Sequence, residues 1–423
     1  MSRPFVRSLL AVALLFGVVH CGSERGDVPA PATPPADGRN AVDEVERAAE
    51  SADAVPDATD RPDDVTVPNP AEDGSIVDAL STLTSPDVGT ECADGLSADD
   101  LTALFGAPIG SFQGADYQRA IRLPDDRVLW TFQDAFLDGV LAHNAGLIQS
   151  GRCFSLLNRD QRSWLFPAET IDRRRWYWPL AGAPASDGTL IVLFVVEMHE
   201  TGSTFLSHPI PMRVHRVELD AATLDVVASH DEPATLPDLY GWSVTDDGVH
   251  TYLYSHCFRQ FGYEGPLGFE PCVEFVKVAR VPVGEFDAPR EYWDGSTWTL
   301  DHALAAPVVD GRFVMSGNNP AQIQFDGNRF LLVEKRDDWW GTTVEFGVSP
   351  RATGPFWRFA SIPEPLACDR STCDTYFASW VPWREAEGSL IWSISCNLWD
   401  GAETCRHPDL YGPTFGTTPI PPP

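Results

Sequence analysis

The chain has 423 residues, with 61 acidic against 30 basic side chains and a net charge of −31. Such a surface repels polyanions, which argues against nucleic acid and anionic membranes as partners and leaves a neutral polysaccharide or glycan compatible. Acidity alone assigns no activity.

The first seven residues, Met1 to Arg7, carry two arginines, and an apolar run follows from Ser8 to Val19. A positive segment before a short apolar one is the layout of a secretory signal. The run is too short for a comfortable transmembrane helix. It ends in His20-Cys21-Gly22-Ser23. That ending resembles a bacterial lipoprotein signal over residues 1–21, with Cys21 as the lipid anchor. His20 stands where that pattern takes a small residue. The expectation is an exported protein of a bacterial cell envelope. It touches the membrane only through the lipid, or is secreted if cleavage falls elsewhere.

Residues 22–90 are rich in Pro, Ala, Asp and Glu, and no Trp, Tyr or Phe occurs after the apolar run until Phe105. Such a segment buries too little apolar surface to offset its ordering entropy, so it reads as a disordered acidic tether. From residue 91 to 423 aromatic residues are dense, and the length suits one large domain, expected to be a monomer. There are nine cysteines. Setting Cys21 aside leaves eight, which in an exported chain favours disulfides over a metal cluster. Cys257/Cys272, Cys368/Cys373 and Cys396/Cys405 are close enough to staple loops, leaving Cys92 for Cys153, although spacing does not fix connectivity. No zinc-type Cys/His spacing stands out, and no metal site is assigned.

The domain reads as all-β. A single short helix is expected near Ser97–Leu104, with Ser97 as its cap and Asp99 and Asp100 in the first turn. Strands are expected at Val128–Phe132, Leu190–Val196, Met212–Leu219, Val249–Tyr254, Cys272–Val278, Phe330–Glu334, Thr343–Val348 and Leu390–Ser395. They are rich in β-branched and aromatic residues and bounded by Asp187-Gly188, Asp247-Gly248, Asp310-Gly311 and Asp326-Gly327 turns. A weak repeat underlies them. Polar or aromatic openings at Gly114-Ala-Asp116, Trp176-Tyr-Trp-Pro179, Tyr240-Gly-Trp242, Ser316-Gly-Asn-Asn319 and Tyr376-Phe-Ala-Ser-Trp380 recur roughly every 60 residues, each followed by a turn and an apolar strand. Five such units make a five-bladed β-propeller whose openings converge on one funnel. A β-sandwich with long loops is the rival fold.

Asp116 lies just before one expected strand and Asp134 just after the next. Two carboxylates at adjacent strand ends suit a glycosidase, one as proton donor and one as base or nucleophile. They also suit ordinary strand-end turns. A separation of about 5 Å would mean retention and about 6.5–9.5 Å inversion. His143 and Asn144 could bond a sugar hydroxyl or hold Asp134. Trp176, Trp178, Tyr240, Trp242, Trp339 and Trp340 could offer flat faces to sugar rings. Arg173, Arg174 and Arg175 could recognise an acidic group, or be a solvated loop. No lipase elbow, nucleotide-binding loop or dinucleotide fingerprint is present, so no organic cofactor is implied. A structural Ca2+ has no supporting motif.

Gly114-x-Asp116, Trp130-x-Phe-x-Asp134, His143-Asn144, Trp178-Pro179, Ser395-Cys-Asn397 and Leu410-Tyr411-Gly412-Pro413 together resemble a family of secreted five-bladed propellers. It was long labelled only as a domain of unknown function, and some members are endo-D-arabinanases, glycoside hydrolases cutting mycobacterial D-arabinan. The resemblance spans residues 106 to 415. It implies a carbohydrate-facing funnel with Asp116 and Asp134 as the acids, Glu197 as a third carboxylate in reserve, and Asn397 among the substrate-binding positions. Gln133 and Ala135 depart from that family's pattern, which has Gly and Thr there. Two readings therefore stay open: a cell-surface glycoside hydrolase acting on an arabinan-like polysaccharide, or a non-catalytic carbohydrate-binding or protein-interaction propeller.

Overall fold

The computed structural model describes residues 89–158, 164–165, 175–200, 209–235, 238–257, 276–308, 321–336, 343–363, 373–398 and 411–421. The architecture is a series of antiparallel sheets, each built mainly from consecutive strands. The first sheet runs Arg119–Arg122, Val128–Phe132, Ala145–Ser150 and Cys153–Leu156, and Thr90–Cys92 adds to its far edge. The second runs Arg175–Pro184, Leu190–Glu200, Pro209–Asp220 and Val226–Asp231. The third starts at Asp238–Asp246, the fourth at Gln322–Phe325 and the fifth at Cys373–Arg384. A small extra sheet joins Phe112–Ala115, Ala135–Leu137 and Val140–Ala142.

The first strands of these sheets neighbour one another in a closed ring, from Arg119–Arg122 round to Cys373–Arg384 and back. Apolar side chains fill the space between successive sheets. Ile121 and Leu129 meet Leu193 and Val217 between the first and second. Val192 and Phe194 meet Leu253 and Ala279 between the second and third. Tyr252 and Val278 meet Ile323 and Leu332 between the third and fourth. Leu331 and Phe346 meet Trp380 and Ile394 between the fourth and fifth. Trp130 and Phe132 meet Ile391 and Phe415 between the first and last. Face-to-face packing of twisted sheets about a common centre is a β-propeller arrangement.

The helix forms at Ala98–Phe105, capped by Ser97, with a reciprocal capping box to Asp100. Leu101, Leu104 and Phe105 bury against the last interface, and Thr102 Oγ1 accepts from the backbone N–H of Phe415 at 3.0 Å. Cys92 and Cys153 form a disulfide across the strand pair that closes the first sheet. Cys396 is also disulfide-bonded. The side chains of Cys257, Cys272, Cys368, Cys373 and Cys405 lie outside the described residues. Among the described residues no helix is long and apolar enough to cross a membrane.

Most expected strands recur with longer ends. Of the expected strand Cys272–Val278, residues 272–275 lie outside the described residues, and the described strand runs Val278–Pro282. The aromatic openings around Trp176, Tyr240 and Tyr376 are not preludes to strands but lie within the first strands of their sheets. Gly, Pro and bulges interrupt their alternation, and register shifts fall at Tyr240/Ser243 and Tyr376/Ser379. Ser316–Asn319 lies outside the described residues.

Candidate active site

Gly114 sets the site's geometry. A Cβ there would lie 1.9 Å from the carbonyl oxygen of Tyr411, so only glycine lets the two backbones approach. Two residues on, Asp116 pairs by backbone with the turn after Val128–Phe132. Its N–H donates to the Asp134 carbonyl at 2.9 Å, and Gln133 N–H donates to the Asp116 carbonyl at 3.1 Å. The two acids are thereby fixed side by side, and the Asp134 N–H donates to Asp116 Oδ1 at 3.0 Å.

Asp116 is buried. Its Oδ2 accepts from the Tyr376 hydroxyl at 2.9 Å and from the Tyr411 hydroxyl, and the two hydroxyls lie 3.1 Å apart. Burial and the nearby Asp134 charge push its carboxyl from 3.8 up to about 7, against the pull of the two tyrosines and the Asp134 N–H. Burial and the Asp116 charge likewise hold both tyrosine hydroxyls well above their ordinary range. This pocket of acid and phenols retains a proton near neutrality.

Asp134 is the more open partner, with its side chain 24% exposed. Its Oδ1 accepts from Trp178 Nε1 at 2.8 Å and faces His143 Nδ1 at 2.9 Å. His143 stacks on Trp176, ring centroids 4.8 Å apart, and Trp176 meets Trp178 edge-on. Two donors and a stacked support orient one oxygen, while Oδ2 takes no hydrogen bond from a described residue. Gln133 also ties this turn to the second sheet, through Nε2 to the Pro179 carbonyl at 3.3 Å.

Beneath the acids the chain takes a left-handed turn at Tyr117 (φ 52°), and Phe377 does the same after Tyr376 (φ 58°). Gly241 occupies the equivalent place after Tyr240 (φ 95°). Tyr117 packs edge-on against Phe377 and Trp242 at the centre, its N–H donating to Ser395 Oγ at 3.0 Å. Gln118 continues the link, with Nε2 to Ser393 Oγ and Oε1 accepting from Ser395 Oγ. Such positive-φ residues cost energy that the packing must offset.

Several expected roles need correction. Asn144 is fully buried and works as a clamp, donating to the Tyr177 carbonyl at 3.0 Å and accepting from Leu165 N–H at 2.7 Å, so its amide is not offered to a sugar. Tyr240 and Trp242 are each 1% exposed and pack in the core, so neither presents an open ring face. Trp178 is partly exposed but spends its N–H on Asp134. Glu197 is buried on the second sheet, where it meets His199 Nε2 at 2.6 Å, His215 Nε2 at 3.0 Å and Arg213 Nε at 2.9 Å. Burial would raise its pKa, but the His215 and His199 hydrogen bonds and the Arg213 charge prevail and hold it at about 2. A carboxylate so held is an anion, not a proton donor. Arg175 lies 3.9 Å from it. Asn397's side chain, Trp339, Trp340, Arg173 and Arg174 lie outside the described residues. Tyr376 and Tyr411, the donors to Asp116, sit 260 and 295 residues from it in sequence, and only their place in the quoted motifs hinted at a role. Among the described residues no group of three His, Cys, Asp or Glu side chains is placed to hold a metal ion.

Solved structures resemble this chain to differing degrees. A presumptive hydrolase from Bacteroides ovatus is 17% identical with a TM-score of 0.55, covering 75% of this chain and 89% of that one, a likeness of fold alone. A GH43_1 enzyme from Xanthomonas citri is 14% identical, covering 73% and 89%, at a TM-score of 0.43. The GH62 α-L-arabinofuranosidase catalytic domain of Coprinopsis cinerea is 11% identical, covering 73% and 93%, at 0.39. No curated protein matches the sequence. Residues 102–417 match the family described as a domain of unknown function, DUF5005, and the chain belongs to that family.

Proposed function

We propose that this protein is a five-bladed propeller of glycoside hydrolase type, acting on an arabinan-like or related polysaccharide through the Asp116–Asp134 pair. The observation that carries the reading is the pair itself. A carboxyl that holds its proton up to about pH 7 is locked to a second, partly exposed carboxyl whose Oδ1 meets Trp178 and His143 and whose Oδ2 takes no hydrogen bond from a described residue. Glycoside cleavage needs two such carboxyl groups in unlike environments. Asp134 is the group placed to meet substrate as base or nucleophile. Asp116 is its proton-holding partner, with the Tyr376 and Tyr411 hydroxyls donating hydrogen bonds to its Oδ2. His143 and Trp178 keep Asp134 in one orientation, and Trp176 supports His143. The same reading takes residues 1–21 as a signal, Cys21 as the lipid anchor and residues 22–88 as a tether; the expected boundary at residue 90 is too late, because Thr90 already pairs with Ser155 in the first sheet.

One observation favours a second reading, a propeller that binds glycan without turning it over. Both Asp116 oxygens are already engaged, so the acid reaches substrate only if a tyrosine yields. Incubation with D-arabinan, L-arabinan and xylan, followed by product analysis, separates the two. New reducing ends from any one polymer support the hydrolase. Retarded migration in gels carrying the polymer, with no new ends from any, supports the binding module.

A further inference from the structure

Arg119 stands on the first strand of the first sheet, 1% exposed. Its Nη1 donates to the Gln118 carbonyl at 2.9 Å, and its guanidinium lies over the Tyr117 ring, 3.9 Å from the centroid. Nε and Nη2 are buried with no hydrogen-bond partner among the described residues. Among the described residues no acidic side chain acts on its charge; burial and Tyr117 are the influences on it. Arg216, also buried, shows the ordinary solution: it is paired with Asp287 and Glu218. An arginine keeps its proton even when buried, so Arg119 is a buried cation without a counter-charge, which is costly.

Thr131 is the residue opposite Arg119 in the antiparallel pair, so their side chains leave the same face of the sheet. It is fully buried, and its Oγ1 also lacks a hydrogen-bond partner among the described residues. Arg119 Nε and Nη2 and Thr131 Oγ1, on side chains that leave the same face of the sheet, are thus all buried with no hydrogen-bond partner among the described residues. A water molecule would accept from these donors but leave the charge uncompensated. A small anion does both.

We propose that Arg119 and Thr131 bind a monovalent anion of halide type inside the propeller, held by Nε–H, Nη2–H and the Thr131 hydroxyl. The site is distinct from the carboxyl pair, whose proton is governed by burial, Asp134 and the tyrosines. General attraction does not explain such uptake, because the molecule carries a net charge of −31. Its role is to let a cation stand beneath the site, next to the strained Tyr117 turn, without an acidic partner that would compete with Asp116.

The test is thermal unfolding of the full chain at fixed ionic strength, as sodium gluconate is replaced by sodium chloride or bromide. The expected result is a saturable rise in Tm with either halide, weakened in Thr131→Val and lost in Arg119→Met. Crystals grown in bromide should show an anomalous peak within hydrogen-bond reach of Arg119 Nε and Nη2 and Thr131 Oγ1. Should Arg119→Met fail to fold, the wild-type bromide map and Thr131→Val decide the matter. A Tm indifferent to halide, or a position beside Arg119 that shows only water in the bromide crystal, would overturn the proposal.

Discussion

The chemistry of the site turns on which atoms hold the Asp116 proton. The Tyr376 and Tyr411 hydroxyls stabilise the ionised carboxylate, so removing either must raise the Asp116 pKa above about 7. Tyr376→Phe and Tyr411→Phe should each move the corresponding limb of the pH–rate profile to higher pH, read also from the carboxyl 13C shift. A downward move would contradict the assignment of donor and acceptor. Asp134 loses a directing donor in Trp178→Phe. A hydrogen bond to a charged group contributes about 1.5–3 kcal/mol, so kcat should fall roughly tenfold or more with KM little changed. That Asp116 and Asp134 stand side by side was legible in the sequence, because Asp at adjacent strand ends is a pattern of spacing. The tyrosines were not, since their contact with Asp116 depends on ring closure between the first and last sheets. Asn144, Tyr240 and Trp242 were misread as sugar contacts, because residue type tells what a side chain can bond and not whether it is already bonded.

At the scale of elements, the strand pair carrying Gly114 and the strand that starts just after Tyr411 fix the pocket. Gly114→Ala drives a methyl into backbone, which cannot rotate away as a side chain can. The expected cost is about 3 kcal/mol of stability, seen in denaturant unfolding, together with a displaced Tyr411 and a higher Asp116 pKa. The Cys92–Cys153 disulfide closes a long loop, with a sequence separation of 61 residues. Replacing both cysteines with Ala should cost roughly 2–4 kcal/mol while leaving the site's pH profile in place. The second strands of the sheets were readable from their unbroken apolar runs, as at Leu190–Val196. The first strands were not. They carry Pro179, Gly241 or a left-handed Phe377 where they meet the centre, and these residues imitate loop chemistry.

For the whole molecule, Asp116 and Glu197 are buried acids that pull stability in opposite directions with pH. Asp116 is raised in the folded state from 3.8 to about 7. Its contribution is therefore complete below about pH 4 and is lost as pH rises towards 7, on the order of 4 kcal/mol in all. Glu197 is lowered from 4.5 to about 2, so its contribution is present above pH 4.5 and is lost as pH falls towards 2. These two groups together place a stability maximum between about pH 4 and 5. Asp116→Asn should flatten the side above pH 5, and Glu197→Gln the side below pH 4, in Tm measured across pH. The fold class was legible because the repeat of openings and turns survives even where single strands do not. The propeller reading implies ring closure, but which side chains meet across it was not legible, since it joins residues at opposite ends of the domain.

The most direct measurement is reducing-sugar release by the full chain from D-arabinan, L-arabinan and xylan, run beside Asp116→Asn and Asp134→Asn with folding checked by circular dichroism. The account predicts release from at least one polymer, reduced about a hundredfold or more by each substitution with the fold retained. Release that survives both substitutions would contradict it, and so would binding of a polymer with no release at all.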